Sequence, residues 1–104
     1  MIDIYGLKNC DTCRKAAKAT GGTLIDIREK PLSRDMLARF HAQFGDALLN
    51  TRSTTWRSLP DARRTEAPLD LITEFPALMK RPVIVAGDQL YLGWGADVQK
   101  ALAA

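Results

Sequence analysis

The pair formed by Cys10 and Cys13 constrains the fold of this chain more than any other feature. They are the only cysteines in the sequence, and a short apolar stretch, residues 2–6, comes shortly before them. Residues 11–20 have helical character and begin directly after the first cysteine. A strand, a Cys-x-x-Cys pair and a helix, in that order, are typical of thiol–disulfide chemistry.

We predict that Cys10 is the nucleophile of this pair. Cysteine reacts as the thiolate, whereas a free thiol is mostly protonated at neutral pH. The first turn of a helix offers unpaired N–H groups and the positive end of the helix dipole, which should lower the pKa of Cys10. Lys8, Arg14 and Lys15 add positive charge nearby in the sequence. Cys13 lies one helical turn further on, on the predicted exposed side, and is a candidate resolving thiol.

The composition excludes several classes of protein. A chain of 104 residues predicts one domain, residues 1–104, and the small size favours a monomer. A net charge of +3 without a basic stripe predicts no nucleic-acid partner, and no apolar run is long enough to span a membrane. The start of the chain lacks the basic and apolar regions of a signal peptide. Two closely spaced cysteines also do not form the disulfide framework that is typical of small secreted proteins. We therefore expect a cytoplasmic protein.

Apolar periodicity and turn residues predict the remaining elements. After the first strand and helix come a strand at 23–27, a helix from the cap Ser33 to Gly45 and a loop at 50–59. A short helix capped by Ser58 and ending at Arg64 follows, and then a helix opened by Pro68. The chain continues with strands at 82–86 and 89–92, which form an antiparallel hairpin, and with a terminal helix at 96–103. This order predicts an α/β chain with a thioredoxin-like fold, βαβ followed by ββα, and a helical insertion between the halves.

Three motifs give the chain a resemblance to a known family. They are residues 5–16 (YGLKNCDTCRKA), residues 48–52 and 54–57 (LLNTR and TTWR), and residues 80–83 (KRPV). Together, and in this order, they resemble the motifs of the arsenate reductase (ArsC-like) family, in particular its YffB branch. The resemblance extends over essentially the whole chain and implies the same thioredoxin-like fold.

The resemblance also implies roles for individual residues. Cys10 matches the nucleophilic cysteine of the family, Arg52 and Arg81 match arginines that bind an oxyanion or anionic group, and Pro82 matches a cis-proline beside the cysteine. Without the resemblance, both arginines would be interpreted as solvated cations, and an X–Pro bond is usually trans. Thr12 is a further candidate substrate-binding residue, whose hydroxyl can donate a hydrogen bond to the thiolate.

Two departures from the family pattern bear on the reaction. The arsenate reductases proper lack a cysteine at the position of Cys13, and they carry a third arginine after the hairpin where this chain has none. Both departures favour thiol–disulfide exchange, although arsenate reduction remains a variant of the same chemistry. The YffB branch is associated with glutathione-dependent thiol reduction, and an arginine pair suits the two carboxylates of glutathione.

The expected function is therefore that of a glutathione-dependent oxidoreductase. Glutathione is the predicted co-substrate, glutaredoxin is a candidate protein partner, and Cys13 would release the mixed disulfide. We predict no tightly bound cofactor and no metal, because a zinc site needs about four ligands and the sequence offers one cysteine pair and the single His41.

A binding protein is the alternative. The Spx regulators are similar to this family, also carry Cys-x-x-Cys near the N-terminus, and act by binding RNA polymerase, with the cysteine pair as a redox switch. The motif at residues 48–57 fits the YffB branch better than the Spx regulators. Since fold does not determine function, the alternative stays open.

Overall fold

Four strands within residues 1–102, the part of the chain that the computed structural model describes, form one sheet. They are β1 (Ile2–Gly6), β2 (Thr23–Asp26), β3 (Val83–Ala86) and β4 (Gln89–Leu92), and they lie in the order β2-β1-β3-β4. The central strand β1 is parallel to β2 and antiparallel to β3, while β3 and β4 form an antiparallel hairpin. The predicted parallel start and antiparallel hairpin are both confirmed.

Two helices cover the sheet within this first unit, which consists of Met1–Lys30 and the chain from Arg81 onward. Helix α1 (Asp11–Thr20) ends at Gly21, whose φ of 70° lies in the left-handed region that glycine adopts without steric cost. Helix α6 (Ala96–Leu102) follows β4, and residue 103 of the predicted helix lies outside the described residues. One buried cluster joins the helices to the sheet: Ile4, Ala16, Ile84 and Val98.

The second unit, Pro31–Lys80, is helical. It contains α2 (Arg34–Phe44), α3 (Thr54–Ser58), α4 (Asp61–Arg64) and α5 (Pro68–Glu74), with short 3₁₀ turns at Gly45–Leu48 and Pro76–Leu78. Ser33 caps α2 as predicted, because its hydroxyl oxygen accepts a hydrogen bond of 3.2 Å from the Met36 N–H. In sequence this unit stands between β2 and β3, so the predicted helical insertion and the fold class are confirmed.

Two sequence predictions in the second unit are wrong. The segment at 50–59 is not entirely a loop, because α3 begins within it and Ser53 caps that helix by accepting a hydrogen bond of 3.1 Å from the Trp56 N–H. Ser58 does not cap α4, since its hydroxyl donates to the Thr54 carbonyl at 2.8 Å within α3, and Pro60 is the N-cap residue. A serine side chain can either cap the next helix or bond to a carbonyl of the preceding one, and the sequence does not show which of the two bonds forms when helix starts lie close together.

Among residues 1–102, no helix combines the length and the apolar character that crossing a membrane requires. The expectation of one domain over residues 1–104 stays a prediction.

Candidate active site

The sulfur of Cys10 lies at the N-terminus of α1, where Cys10 is the N-cap residue with extended backbone angles of −95° and 113°. The Cys10 N–H donates to the Leu7 carbonyl at 3.1 Å, and its own carbonyl accepts from the Arg14 N–H at 3.0 Å. The Cys13 N–H, one of the unpaired donors of the first turn, points to the Cys10 sulfur at 3.4 Å. The predicted position of Cys10 at the positive end of a helix is therefore observed.

The environment of Cys10 favours its thiolate. Partial burial pushes the pKa of the Cys10 thiol upward. Hydrogen bonds from the Cys13 thiol and backbone N–H, together with the hydrogen bond and charge of the Arg81 guanidinium, outweigh that burial and lower the pKa below its ordinary value. A cysteine with a lowered pKa and partial exposure has the properties of a nucleophile.

The cation beside the thiolate comes from a distant part of the sequence. Arg81 lies two residues before β3. The pairing of Tyr5 with Val83 brings the start of β3 next to the end of β1, from which the chain leads to Cys10. Two of the three nearby cations that the sequence suggested form ion pairs with other residues. The Nζ of Lys8 lies 2.6 Å from a carboxylate oxygen of Glu29, and Arg14 forms an ion pair with Asp11.

Pro82 holds the start of β3 in a defined conformation. The Arg81–Pro82 peptide bond is cis, as the resemblance implied. Pro82 is buried, and its carbonyl accepts a hydrogen bond of 2.8 Å from the Gly93 N–H. Proline lacks an N–H and cannot donate to a strand partner, and β3 accordingly begins at Val83 rather than at Pro82.

Cys13 is fully buried, so its predicted place on the exposed side of α1 is wrong. Its sulfur lies against the backbone of Gly6, because a Cβ atom at Gly6 would be only 2.3 Å from the Cys13 Sγ. Burial and, after it, the hydrogen bond to Cys10 raise the pKa of the Cys13 thiol to about 12. The Leu7 backbone and the charge of Arg81 act in the opposite direction, and the charge of Cys10 adds to the rise. Cys13 therefore keeps its proton to a higher pH than Cys10 does, and its role as a resolving thiol stays a prediction.

Gly6 is a site residue that sequence reasoning missed. The available signal was a glycine at the end of a strand, four residues before Cys10. A glycine in a strand is typical of a close approach to the backbone.

The two remaining candidates are exposed. Thr12 makes no hydrogen bond to the Cys10 sulfur in the part of the chain that the structure describes, and its substrate-binding role stays a prediction.

Arg52 belongs to the second unit, where its N–H donates to the Asn50 Oδ1 at 3.1 Å. It lines a groove of about 550 Å³ together with the second cation Lys80. The structure thus brings Cys10, Cys13 and Arg81 together in the first unit, and the anion-binding role of Arg52 stays a prediction.

No group of three or more His, Cys, Asp or Glu side chains in the part of the chain that the structure describes is arranged to hold a metal ion.

Comparisons with known proteins agree with the motifs. The model of the ArsC family matches residues 5–102. An uncharacterized protein of Haemophilus influenzae is 36% identical over an alignment of 111 positions that covers 97% of each chain. The global transcriptional regulator Spx 1 of Lactococcus lactis is 29% identical, with 97% of this chain and 88% of the regulator covered. Among solved structures, the YFFB protein is 28% identical and superimposes with a TM-score of 0.89 over 100% of both chains.

Proposed function

This chain belongs to the ArsC family, and on that premise we propose that it is an oxidoreductase in which Cys10 attacks a disulfide and glutathione is the co-substrate. A general thiol-based redox function is supported by the family and by its similarity to Spx regulators. The observation that carries the finer proposal is the Cys10 sulfur itself. It is partly exposed at the N-terminus of α1, and hydrogen bonds from Cys13 and Arg81 stabilise its thiolate.

The proposed reaction has two exchange steps. In the first, the Cys10 thiolate attacks the glutathione sulfur of a mixed disulfide, a new S–S bond to Cys10 forms, and the other thiol leaves as a thiolate that takes up a proton from water. In the second, another thiol attacks the glutathionylated Cys10 and regenerates its thiolate. When that thiol is glutathione, the net result is one reduced thiol and one molecule of oxidised glutathione for each mixed disulfide and glutathione consumed.

Charge complementarity supports glutathione as the co-substrate. Glutathione carries two carboxylates, and Arg81 brings a guanidinium to the sulfur that would attack. In this proposal Arg81 and Arg52 attract the carboxylates, while Thr12 and Pro82 contact the glutathione moiety. Arsenate would be a related anionic substrate, attacked by the same thiolate, but the absence of a third arginine after the hairpin favours the disulfide.

The setting of the reaction is part of the proposal. Glutathione-dependent disulfide exchange suits a reducing cytoplasm. Two cysteines that do not form the disulfide framework of a secreted protein fit the same compartment. We propose a monomer that works without a tightly bound cofactor, and glutaredoxin as a protein that exchanges disulfides with it.

A turnover assay tests the proposal. The protein is incubated with glutathione and a mixed disulfide of glutathione with a small thiol, and oxidised glutathione is followed through glutathione reductase and NADPH. We expect turnover in the wild type and only the uncatalysed rate in Cys10→Ser. Ser58→Ala, an exposed substitution in the second unit, serves as the matched control and should keep the wild-type rate. Equal turnover in Cys10→Ser and the wild type would refute the assignment of the nucleophile.

A second candidate function is favoured by the likeness to Spx 1 of Lactococcus lactis, which is named a global transcriptional regulator. In that case the chain would bind RNA polymerase, and the cysteine pair would be a redox switch. Purified RNA polymerase retained on the immobilised protein, in the absence of any disulfide turnover, would support the regulator over the enzyme.

A further inference from the structure

A tight turn of residues 7–10 joins the end of β1 to the start of α1. The Leu7 carbonyl accepts the Cys10 N–H at 3.1 Å, which closes this turn over Lys8 and Asn9. Leu7 is buried, whereas the two central residues of the turn are exposed. The conformation of this exposed part therefore decides where Cys10 stands when it begins α1.

The carboxylate of Asp26 holds this turn from the neighbouring strand. Asp26 is the last residue of β2 and the register partner of Gly6 in β1, so the chain leaves both strands at the same edge of the sheet. The Asp26 Oδ2 accepts the Lys8 N–H at 2.9 Å. Its Oδ1 accepts the Arg28 N–H at 2.8 Å and the Glu29 N–H at 3.3 Å, which closes the turn after β2. One side chain thus joins two turns.

The contact between Asp26 and Lys8 constrains the backbone rather than a flexible side chain. Its donor is a main-chain N–H, so the bond fixes the turn itself. This hydrogen bond is also the main cause that lowers the pKa of the Asp26 carboxyl below its ordinary value, with smaller contributions from the Arg28 and Glu29 N–H groups. Asp26 is therefore ionised at neutral pH and accepts all three hydrogen bonds.

We propose that Asp26 is a positioning residue for Cys10: by accepting the Lys8 N–H, its carboxylate holds the turn of residues 7–10 in the conformation that places the Cys10 sulfur at the N-terminus of α1. This deepens the proposed function, on which it rests, by adding a residue outside the cysteine motif that prepares the nucleophile. The effect of Asp26 on the sulfur is transmitted through the backbone of the turn.

The charge of Asp26 has a direct effect of the opposite sign. Loss of a nearby negative charge favours the Cys10 thiolate and should lower the pKa of its thiol. Loss of the bond to Lys8 lets the turn relax and the sulfur leave the N–H groups of the helix, which should raise that pKa. The direction of the change therefore distinguishes positioning from an effect of charge alone.

The test measures the acidity of Cys10 without any substrate. Alkylation by iodoacetamide is followed as a function of pH, and mass spectrometry verifies that Cys10 is the modified residue. In Asp26→Asn the amide keeps one acceptor oxygen for the turn after β2 but presents a donor in place of the second oxygen. The midpoint of the profile should move to higher pH. The rate near neutrality should fall by about threefold to tenfold, the usual effect of one hydrogen bond.

Two controls separate this role from charge and from stability. Glu29→Gln also removes one negative charge beside Lys8, because Glu29 and Lys8 form an ion pair between exposed side chains, but it leaves the bond from Asp26 to the Lys8 N–H in place. Its midpoint should equal that of the wild type or be lower. Thr20→Ala removes two side-chain hydrogen bonds at the other end of α1. It should lower stability in urea without moving the profile.

Asp26→Ala keeps the test decisive if the asparagine variant does not fold. It removes the acceptor without placing an amide against the Lys8 N–H, and its midpoint should also rise. Midpoints at or below the wild-type value in the Asp26 variants would overturn the proposal, as would an equal rise in Thr20→Ala.

The outcome is independent of the turnover assay. If no glutathione is consumed by the wild type while the midpoint rises in Asp26→Asn, the proposed enzyme function fails and the positioning role stands. If turnover depends on Cys10 and the midpoint does not rise, the positioning role alone is rejected.

Discussion

The contact between Gly6 and Cys13 leads to a quantitative prediction for Gly6→Ala. The added Cβ would lie 2.3 Å from the Cys13 Sγ, so either β1 or α1 must shift. Inserting a methyl group into a well-packed interior of this kind costs about 1–3 kcal/mol of folding stability. The backbone of Gly6 is not among the positive-φ glycines, so the substitution itself causes no backbone strain and the loss is assigned to the clash.

Removing the sulfur should remove most of that cost. In a Cys13→Ala background the nearest remaining side-chain atoms are the Cβ of residue 13 at 3.1 Å and the Cδ1 of Leu24 at 3.9 Å, which need to move only slightly. Replacing glycine where alanine fits also stabilises a protein by about 0.4–1 kcal/mol through the unfolded state. We therefore expect Gly6→Ala to be nearly neutral in this background, which corresponds to a coupling energy of about 1 kcal/mol or more.

The assay is urea unfolding of the wild type, both single variants and the double variant. Gly22→Ala is the matched control, because its added Cβ would meet the backbone oxygen of Ile2 at 2.8 Å rather than a sulfur. Its cost should be the same in both backgrounds, within the roughly 0.5 kcal/mol expected for independent sites. An equal loss of stability from Gly6→Ala with and without the Cys13 sulfur would show that a clash with this sulfur is not the cause of the loss.

Three further predictions concern the same chain. Arg81→Lys should raise the pKa of Cys10, because an ammonium keeps the charge but not the guanidinium geometry. The rate of Cys10 alkylation by iodoacetamide, followed as a function of pH, should then have its midpoint at a higher pH than in the wild type. Wild-type stability should fall by up to about 1.4 kcal/mol per pH unit between pH 9 and 12, since the folded Cys13 thiol keeps its proton up to a pKa of about 12 while the unfolded thiol loses it near 9. Urea unfolding should show most of that fall absent in Cys13→Ala. Ser33→Ala should cost about 1 kcal/mol in urea unfolding by removing the cap of α2, and an unchanged midpoint would contradict that role.

Several secondary-structure elements of this protein can be predicted from local sequence. Helix α1 was predicted with its observed bounds, because apolar periodicity, the cysteine at its start and Gly21 at its end are all local signals. The same holds for the Ser33 cap and for the hairpin of β3 and β4. The position of Cys10 at a helix N-terminus follows from these signals alone, since a helix end and its free N–H groups belong to neighbouring residues.

Local signals failed where several competed over a short distance. The Ser- and Thr-rich stretch around α3 was predicted as a loop, although Ser53 initiates a helix there. Such residues stabilise both turns and helix starts through the same side-chain hydrogen bonds, so their pattern does not distinguish the two structures.

The tertiary structure decided which cation lies beside the Cys10 sulfur. Lys8 and Arg14, close to Cys10 in sequence, bind Glu29 and Asp11, whereas Arg81 reaches Cys10 because β3 pairs with β1. The burial of Cys13 was also a tertiary outcome, since it depends on which face of α1 meets the sheet. Sequence spacing sets which residues share a helix face, but the partner of that face is set by packing between segments far apart in the chain.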